Sequence, residues 1–539
     1  MSRADYDRAR RGEGWTLERS LSGGPLGQKG DGELNVFLGI DAGTTSLKAA
    51  LFDEAGRLLA VDRQEYDLLT LQNSWIELDP EVYWDACCSA VRGVIAASGV
   101  AVQDVRSLAI SSQGETLIPV DDQGRPTRPA IVWLDNRASE EARLIAAEFA
   151  VDEVYQITGQ PEITPTWPAC KLLWLRRNEP DVFARSAKFL LVEDYLQFRI
   201  TGQFVTEYSL QTSSMLLDIC HKHWWDVMLE YLEISPDQLG TLVEPGETVG
   251  HLSSTGAEAM GLSTGTLAIG GALDQTLGAI GAGNCAPGIV TETTGGALAV
   301  VATLESPRFD PWRRLPCHYH ALPDTYCLLA WGQTAGMALR WFRDQFFQTE
   351  LAAAREGGVS SYDVMADMAR QTPAGAEGLV MLPHLEGAAC PEFNPKARAV
   401  FYGLALRHTR AHFVRAVMES VAYMLRKNLD IVGDLGVDLT EIRSLGGGAR
   451  GDLWLQIKAD VIQKPVRRVL VEEAACLGAA MVCSVATGVY ADIAEATVHM
   501  VRVGETFEPD ASKQDVYEER YAEYLELYDR LKPMFDKRG

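Results

Sequence analysis

Val36-Phe37-Leu38-Gly39-Ile40-Asp41-Ala42-Gly43-Thr44-Thr45-Ser46 is the stretch on which the fold turns. An apolar run with β-branched residues ends in small residues, the pattern of a strand entering a tight turn. A second apolar run, Leu47 to Phe52, follows at once, and Asp53-Glu54-Ala55-Gly56 turns the chain into a third, Arg57 to Tyr66. Three strands in succession predict a meander rather than the strand-then-helix opening of a nucleotide-binding βαβ unit. Asp79-Pro80 then reads as a helix start, with Asp as N-cap, Pro in the first turn and apolar positions at Val82, Tyr83, Ala86, Ala90, Val91 and Val94. Beyond it, Val105 to Ile110 and Ala130 to Trp133 read as strands, and Arg137 to Phe149 and Ala169 to Arg177 as helices.

The opening stretch has an echo. Gly39-Ile40-Asp41-Ala42-Gly43-Thr44-Thr45 returns as Gly288-Ile289-Val290-Thr291-Glu292-Thr293-Thr294, with Gly, Ile, Thr and Thr matching at an offset of 249 residues, from Gly39 to Gly288. Such a period is too long for a solenoid. It fits two similar large domains that face each other, with Thr-Thr turns converging on one ligand and a boundary near Gly281-Ala282-Gly283-Asn284. The expected division is a disordered extension over 1–34, an N-terminal domain over 35–282 and a C-terminal domain over 283–539.

Bulk properties agree with a large globular chain. Its 539 residues are 47% hydrophobic and 23% charged, with mean hydropathy −0.05, enough for two large domains with sizeable cores. A net charge of −25 repels phosphate backbones and anionic lipid, so a nucleic-acid or membrane-surface partner is not expected. Ten scattered cysteines without a Cys-x-x-Cys pair read as reduced thiols of a cytoplasmic protein. Residues 1–34 hold Arg8, Arg10 and Arg11 but no apolar core of a signal peptide, and no run of about 18 apolar residues predicts a membrane span.

Several positions are suited to chemistry. Turns of Gly, Thr and Ser between strands present N–H groups and hydroxyls without bulk, and with Lys48 close by, the first turn suits a phosphate. The same turn also reads as a hairpin that needs Gly43 for its backbone angles. Neither Gly-x-x-x-x-Gly-Lys-Ser/Thr nor a Gly-x-Gly-x-x-Gly after a strand occurs, which removes the main support for Walker-type and Rossmann sites. Asp274 follows the apolar strand Leu267 to Gly271 and opens a small-residue helix that runs to Gly281, a place for a base, a metal ligand or simply an N-cap. Gly446-Gly447-Gly448-Ala449 lets a backbone approach a flat ligand closely, or serves as a loop before the helix Asp452 to Val461. The pairs His221-x-His223 and His318-x-His320 are read without a Cys or carboxylate to complete a metal set, and so as surface or satisfied histidines.

Taken in order, these motifs resemble the FGGY carbohydrate kinases over nearly the whole chain after about residue 36. The resemblance is carried by Gly39 to Thr45, Trp75 to Pro80, Ala130 to Trp133, Lys171 to Leu175, Gly271 to Gln275, Gly403-Leu404 with His412 to Glu419, Gly446 to Ala449 and Leu477 to Ala480. It implies an α/β fold of two ribonuclease-H-like domains of the sugar kinase, actin and Hsp70 type around a central cleft. It also implies an enzyme that uses ATP and Mg2+ to phosphorylate a primary hydroxyl of a sugar or polyol. By that resemblance Asp274 takes the hydroxyl proton and Asp41 helps to hold magnesium. Thr44, Thr45 and Lys48 match the first phosphate turn and Thr293 and Thr294 the second, while Gly336, Gly447, Gly448, Ala449 and Asp452 fall where the nucleotide is held. Thr293-Thr294-Gly295-Gly296 and Ser420 depart from the family's usual residues. A non-catalytic sugar sensor on the same fold is the alternative of a different class, and the presence of both Asp41 and Asp274 argues against it.

The family contacts its sugar through the stretch matching Ser111-Ser112-Gln113-Gly114-Glu115-Thr116. Ser112, Gln113, Glu115, Trp133, Asp274 and Gln275 are the expected substrate residues. Gln113, Glu115 and Thr116 resemble the glycerol kinases, but Gly114 stands where those have an arginine. That loss is expected to widen the pocket toward a five-carbon ketose such as xylulose, with erythritol or glycerol as the second reading. Assembly as a homodimer is left open.

Overall fold

The computed structural model describes residues 35–72 and 75–537; the expected extension over 1–34 lies outside the described residues. The opening runs form the meander read from them: β1 (Val36–Ala42), β2 (Ser46–Asp53) and β3 (Leu58–Glu65) pair antiparallel. The chain then adds β4 (Val105–Ser112) parallel to β1, and later β5 (Thr248–His251) and β6 (Leu267–Leu273), with β6 parallel to β4 and β5 antiparallel to β6. The sheet order is β5-β6-β4-β1-β2-β3. The central strands β1, β4 and β6 are buried almost throughout because helices cover both faces, whereas β3 at the edge alternates and carries Arg63 and Glu65. The strand expected at 130–133 stops at Ile131, and Trp133 sits in the turn that follows.

The second half repeats this plan. β7 (Ile289–Thr294), β8 (Leu298–Leu304), β9 (Cys317–Tyr319), β10 (Tyr326–Gly332), β11 (Glu441–Leu445), β12 (Val466–Val469) and β13 (Val503–Phe507) are ordered β9-β10-β8-β7-β11-β12-β13. From β10 to β13 the pairings run antiparallel, antiparallel, parallel, parallel, antiparallel, the sequence of orientations found from β3 to β5. The duplication is therefore real, but its register differs from the sequence echo. The equivalent turns are Gly43–Thr45 and Gly295–Ala297, an offset of 252 from Gly43 to Gly295. Thr293 and Thr294 end strand β7 and are not in the turn. Gly and Ile recur often enough in buried strands to match three residues out of step.

The main helices are α1 (Pro80–Ser98), α2 (Pro168–Asn178), α3 (Val192–Thr201), α4 (Asp274–Gly281), α5 (Gly336–Phe346), α6 (Arg410–Asp434), α7 (Asp452–Ile462), α8 (Ala474–Ala486) and α9 (Gln514–Asp536). Helix α1 starts as expected: the Asp79 carboxylate accepts the Glu81 N–H, Pro80 occupies the first turn and Gly99 closes the helix in the left-handed region. Helix α8, far along the chain, crosses back to pack against β1, β4 and α4, forming one core with Phe37, Phe52, Leu277 and Ile280. This crossing is close. A Cβ on Gly39 would lie 2.0 Å from the Cys476 carbonyl oxygen, and one on Gly478 2.0 Å from that of Leu277. The glycine of the opening motif is thus required by a helix more than 400 residues away.

Candidate functional site

Strands β1, β4 and β6 run parallel, so their carboxyl ends lie side by side, the edge of an open α/β sheet at which ligands bind. The register places Asp41 of β1 beside Ser111 of β4, and Ser112 beside Leu273, the residue before Asp274. Three separated segments, 41–48, 111–116 and 273–275, therefore meet at one place.

Asp41 accepts a hydrogen bond from the Ser111 hydroxyl at 3.3 Å, and Lys48 Nζ lies 3.7 Å from its carboxylate and 2.7 Å from that of Glu473. Burial raises the Asp41 carboxyl above its ordinary range, against the pull of Lys48. Asp274 opens α4, and its Oδ1 accepts the Gln275 N–H at 2.6 Å. Burial first, then the nearby Asp41 charge, push its carboxyl up to about 8, with Glu115 adding to the rise. A carboxylate so poised accepts a proton near neutral pH far better than one with the ordinary value near 4.

Glu115 holds a left-handed backbone (φ 60°). The fully buried Lys171 on α2 fixes this turn by donating to the carbonyls of Glu115, at 2.8 Å, and Val132, at 3.1 Å. Burial raises the Glu115 carboxyl and lowers the Lys171 ammonium, and each resists the shift of the other. Trp133 is half-buried; its indole N–H donates to the Thr44 hydroxyl at 2.9 Å and its backbone N–H to the Thr116 hydroxyl at 3.1 Å. The stretch 111–116 is thereby tied to the first turn.

Two expected substrate residues face inward. Gln113 is 4% exposed and donates through Nε2 to the Tyr83 hydroxyl and to the Gly43 carbonyl, which also accepts from the Tyr66 hydroxyl at 2.6 Å. The Ser112 hydroxyl is buried and donates to the Gln113 carbonyl. Gly114 does not widen the pocket as expected: a Cβ there would meet Ser213 Oγ at 2.5 Å and Leu273 Cδ1 at 3.2 Å.

In the second half of the chain, the exposed turn Gly295–Ala297 is bonded to the start of α5. Gly336 N–H donates to the Gly295 carbonyl at 3.0 Å, and Ala335 and Met337 donate to that of Gly296. Gly446 to Ala449 pack against the end of β7, where a Cβ on Gly448 would lie 2.5 Å from that of Thr294. Gly447 is exposed, Gly448 and Ala449 are buried, and Asp452 heads α7 with its carboxylate paired to Arg468. Thr44, half-buried, and Thr45, exposed, lie in the first turn; Thr294 is buried beneath the second, with Thr293 half-buried beside it.

Lys171, Glu473, Tyr66 and Tyr83 were not singled out from the sequence. Lys171 carried a usable signal, a lone cation in the apolar run Ala169 to Leu175. Glu473 carried none, since only the return of α8 brings it to Lys48. The histidine pairs need a correction. Asp218 does lie with His221 and His223, each able to offer a ligand atom within 4.8 Å of the others. Its carboxylate, however, accepts the Cys220 and His221 N–H groups and lies 2.8 Å from His221 Nδ1, so it already caps the hairpin turn. His318 and His320 are buried, and burial pushes both down to about 3, which keeps them neutral.

Among the described residues, no helix is long and apolar enough to cross a membrane. Residues 36–281 match the N-terminal domain of the FGGY family of carbohydrate kinases, and residues 290–487 its C-terminal domain. A xylulose kinase of Escherichia coli is 32% identical over 500 residues, 93% of this chain and 100% of that one. A gluconokinase of Bacillus subtilis is 30% identical over 456 residues, 84% of this chain and 88% of that one. The crystal structure of xylulose kinase from Rhodospirillum rubrum superposes with a TM-score of 0.84 at 29% identity, covering 93% of this chain and 100% of that one.

Proposed function

The chain belongs to the FGGY family of carbohydrate kinases and is an ATP-dependent sugar or polyol kinase, and on that premise we propose that its acceptor is a pentulose, xylulose first, with Asp274 as the base. The observation that carries this reading is the placement of Asp274: at the meeting of three strand ends, beside Asp41 and Glu115, with its carboxyl raised to about 8. Phosphoryl transfer asks a protein chiefly to position reactants and neutralise charge, and Asp274 orients the acceptor hydroxyl and takes its proton.

The residues present suit the cofactors. Asp41 and its neighbouring carboxylates offer the hard oxygen donors that magnesium prefers. The glycine-lined approach at Gly446 to Ala449, the second turn with Gly336, and Thr44, Thr45 and Lys48 at the first would hold ATP. Magnesium, when bound, neutralises charge on the phosphates.

A neutral acceptor is supported by the charge of the pocket. The cation beside Glu115, Lys171, is engaged by two backbone carbonyls and so is not free to pair with the carboxylate of an acidic sugar. Several similar proteins are named xylulose kinases, in line with xylulose. Because Ser213 and Leu273 fill the space beside Gly114, a short polyol such as erythritol or glycerol is the second reading. Ten unpaired cysteines accord with a cytosolic enzyme, and a homodimer stays open.

The test is magnesium- and ATP-dependent ADP release across ketoses, aldoses, polyols and gluconate, with Asp274→Asn in parallel. Turnover of xylulose that collapses in the variant is the expected result. Turnover of glycerol or erythritol alone overturns the pentulose, and turnover of gluconate overturns the charge argument.

A further inference from the structure

Beneath the second turn lies an ion pair that the chemistry above does not use. Glu292 of β7 and Lys458 of α7 are both 0% exposed at the side chain, with Nζ 2.6 Å from Oε1. The Lys458 ammonium also donates to the Thr294 hydroxyl at 2.9 Å and sits 5.3 Å from the centre of the Trp454 ring. The Thr294 hydroxyl donates to Glu292 Oε2 at 2.7 Å, and the Ser444 hydroxyl of β11 donates to Oε1. Four side chains from β7, β11 and α7 thus close one buried network.

Stability alone does not account for it. A buried ion pair roughly breaks even against apolar residues of the same volume, because removing two charges from water offsets their attraction. What the pair does supply is a fixed distance. β7 carries the turn Gly295–Ala297, while α7 begins just after the loop Gly446–Ala449. Thr294 touches both, through its hydroxyl to Lys458 and through its Cβ against the position of Gly448. Its hydroxyl already donates to Glu292, so it has no proton left to offer a phosphate.

We propose that Glu292 and Lys458 are positioning residues that lock the second phosphate turn to the glycine loop, setting the site for the phosphates of ATP without touching them. Thr294, matched by resemblance to a phosphate contact, acts here as the link between the two. The inference rests on the reading of this wall as the nucleotide side.

The test is the double variant Lys458→Met with Glu292→Leu, which removes both charges and leaves neither buried alone. Its melting temperature is expected to stay within a few degrees of wild type. Its kcat/KM for ATP is expected to fall about 10- to 100-fold, the cost of a small misplacement, while KM for the sugar changes less than about twofold. Wild-type ATP kinetics in the double variant, whatever its melting temperature, overturns the proposal. If the double variant does not fold, Thr294→Val decides, since it removes only the linking hydroxyl: the same ATP-selective loss supports the proposal, and wild-type kinetics overturns it. Calorimetric titration of the wild type with MgATP separates the two levels of failure. No binding there removes the nucleotide reading itself, whereas binding with unperturbed variants removes only the inference.

Discussion

The two hairpin turns share a backbone plan and use charge in opposite ways. At the first, the charges reach the surface: Asp41 and Lys48 are partly exposed, and the turn is held by neutral donors, the Tyr66 hydroxyl and the Gln113 carboxamide on the Gly43 carbonyl and the Trp133 indole on Thr44. At the second, Glu292 and Lys458 are sealed beneath the strand end, and the exposed turn presents only glycines and an alanine. Charge that must meet a metal or move a proton has to be accessible. Charge that only fixes geometry works best where water cannot compete with it.

The sharpest way to break this comparison is Asp274→Asn. Turnover is expected to fall about 10²- to 10⁴-fold, the usual contribution of a positioned base. Stability should move the other way. The folded carboxyl is raised from 3.8 to about 8, so between those values the native state holds a proton that the unfolded state has lost, and wild-type stability declines with rising pH. The variant lacks that decline. Its excess melting temperature should widen from about pH 4 to about pH 8 and level off above, as thermal unfolding across pH would read; a pH-independent difference removes the raised carboxyl from the account.

Next in size is Lys171→Met. It strands the two backbone carbonyls of Glu115 and Val132, and each buried acceptor left unpaired costs about 1–3 kcal/mol. Chemical denaturation should show that loss, and steady-state kinetics should show KM for the sugar raised about tenfold with KM for ATP little changed, the mirror image of the effect expected beneath the second turn. Lys48→Met unpairs Asp41 and Glu473; a roughly tenfold fall in kcat, accompanied by a higher magnesium requirement, is expected in a magnesium titration, since the Asp41 carboxyl then binds its proton more tightly. Smallest is Trp133→Phe, which removes a single hydrogen bond to Thr44, worth about 1 kcal/mol. A change in kcat/KM beyond about tenfold would mean that the indole does more than join the two segments.

Much of this was legible in the chain. Continuity of apolar residues marked β1, β2, β6 and the middle of β4, since a strand buried on both faces favours apolar residues throughout and an edge strand need not. Asp274 at a helix start after a buried strand was visible for the same reason. Less legible was anything set by contact across the sequence. Gly39 read as one residue of the opening strand, yet its lack of a side chain answers to Cys476. Gln113 is expected at the sugar from its motif, and only the structure shows its carboxamide N–H bracing Gly43; Gly114 is expected to open the pocket, and only the structure brings Ser213 and Leu273 against its Cα. The echo at 249 located the duplication but placed the second turn three residues early.

By itself the sequence determined which segments are strands and helices, that the architecture occurs twice, and that one carboxylate ends β1 while another opens α4, because each follows from local pattern and short-range sterics. The tertiary structure alone decided the direction each polar side chain takes, the return of α8 with Glu473 to the first turn, and the burial of Lys458 against Glu292. Those outcomes depend on which distant surfaces exclude water from one another, and in this chain the partners lie 166 and 425 residues apart.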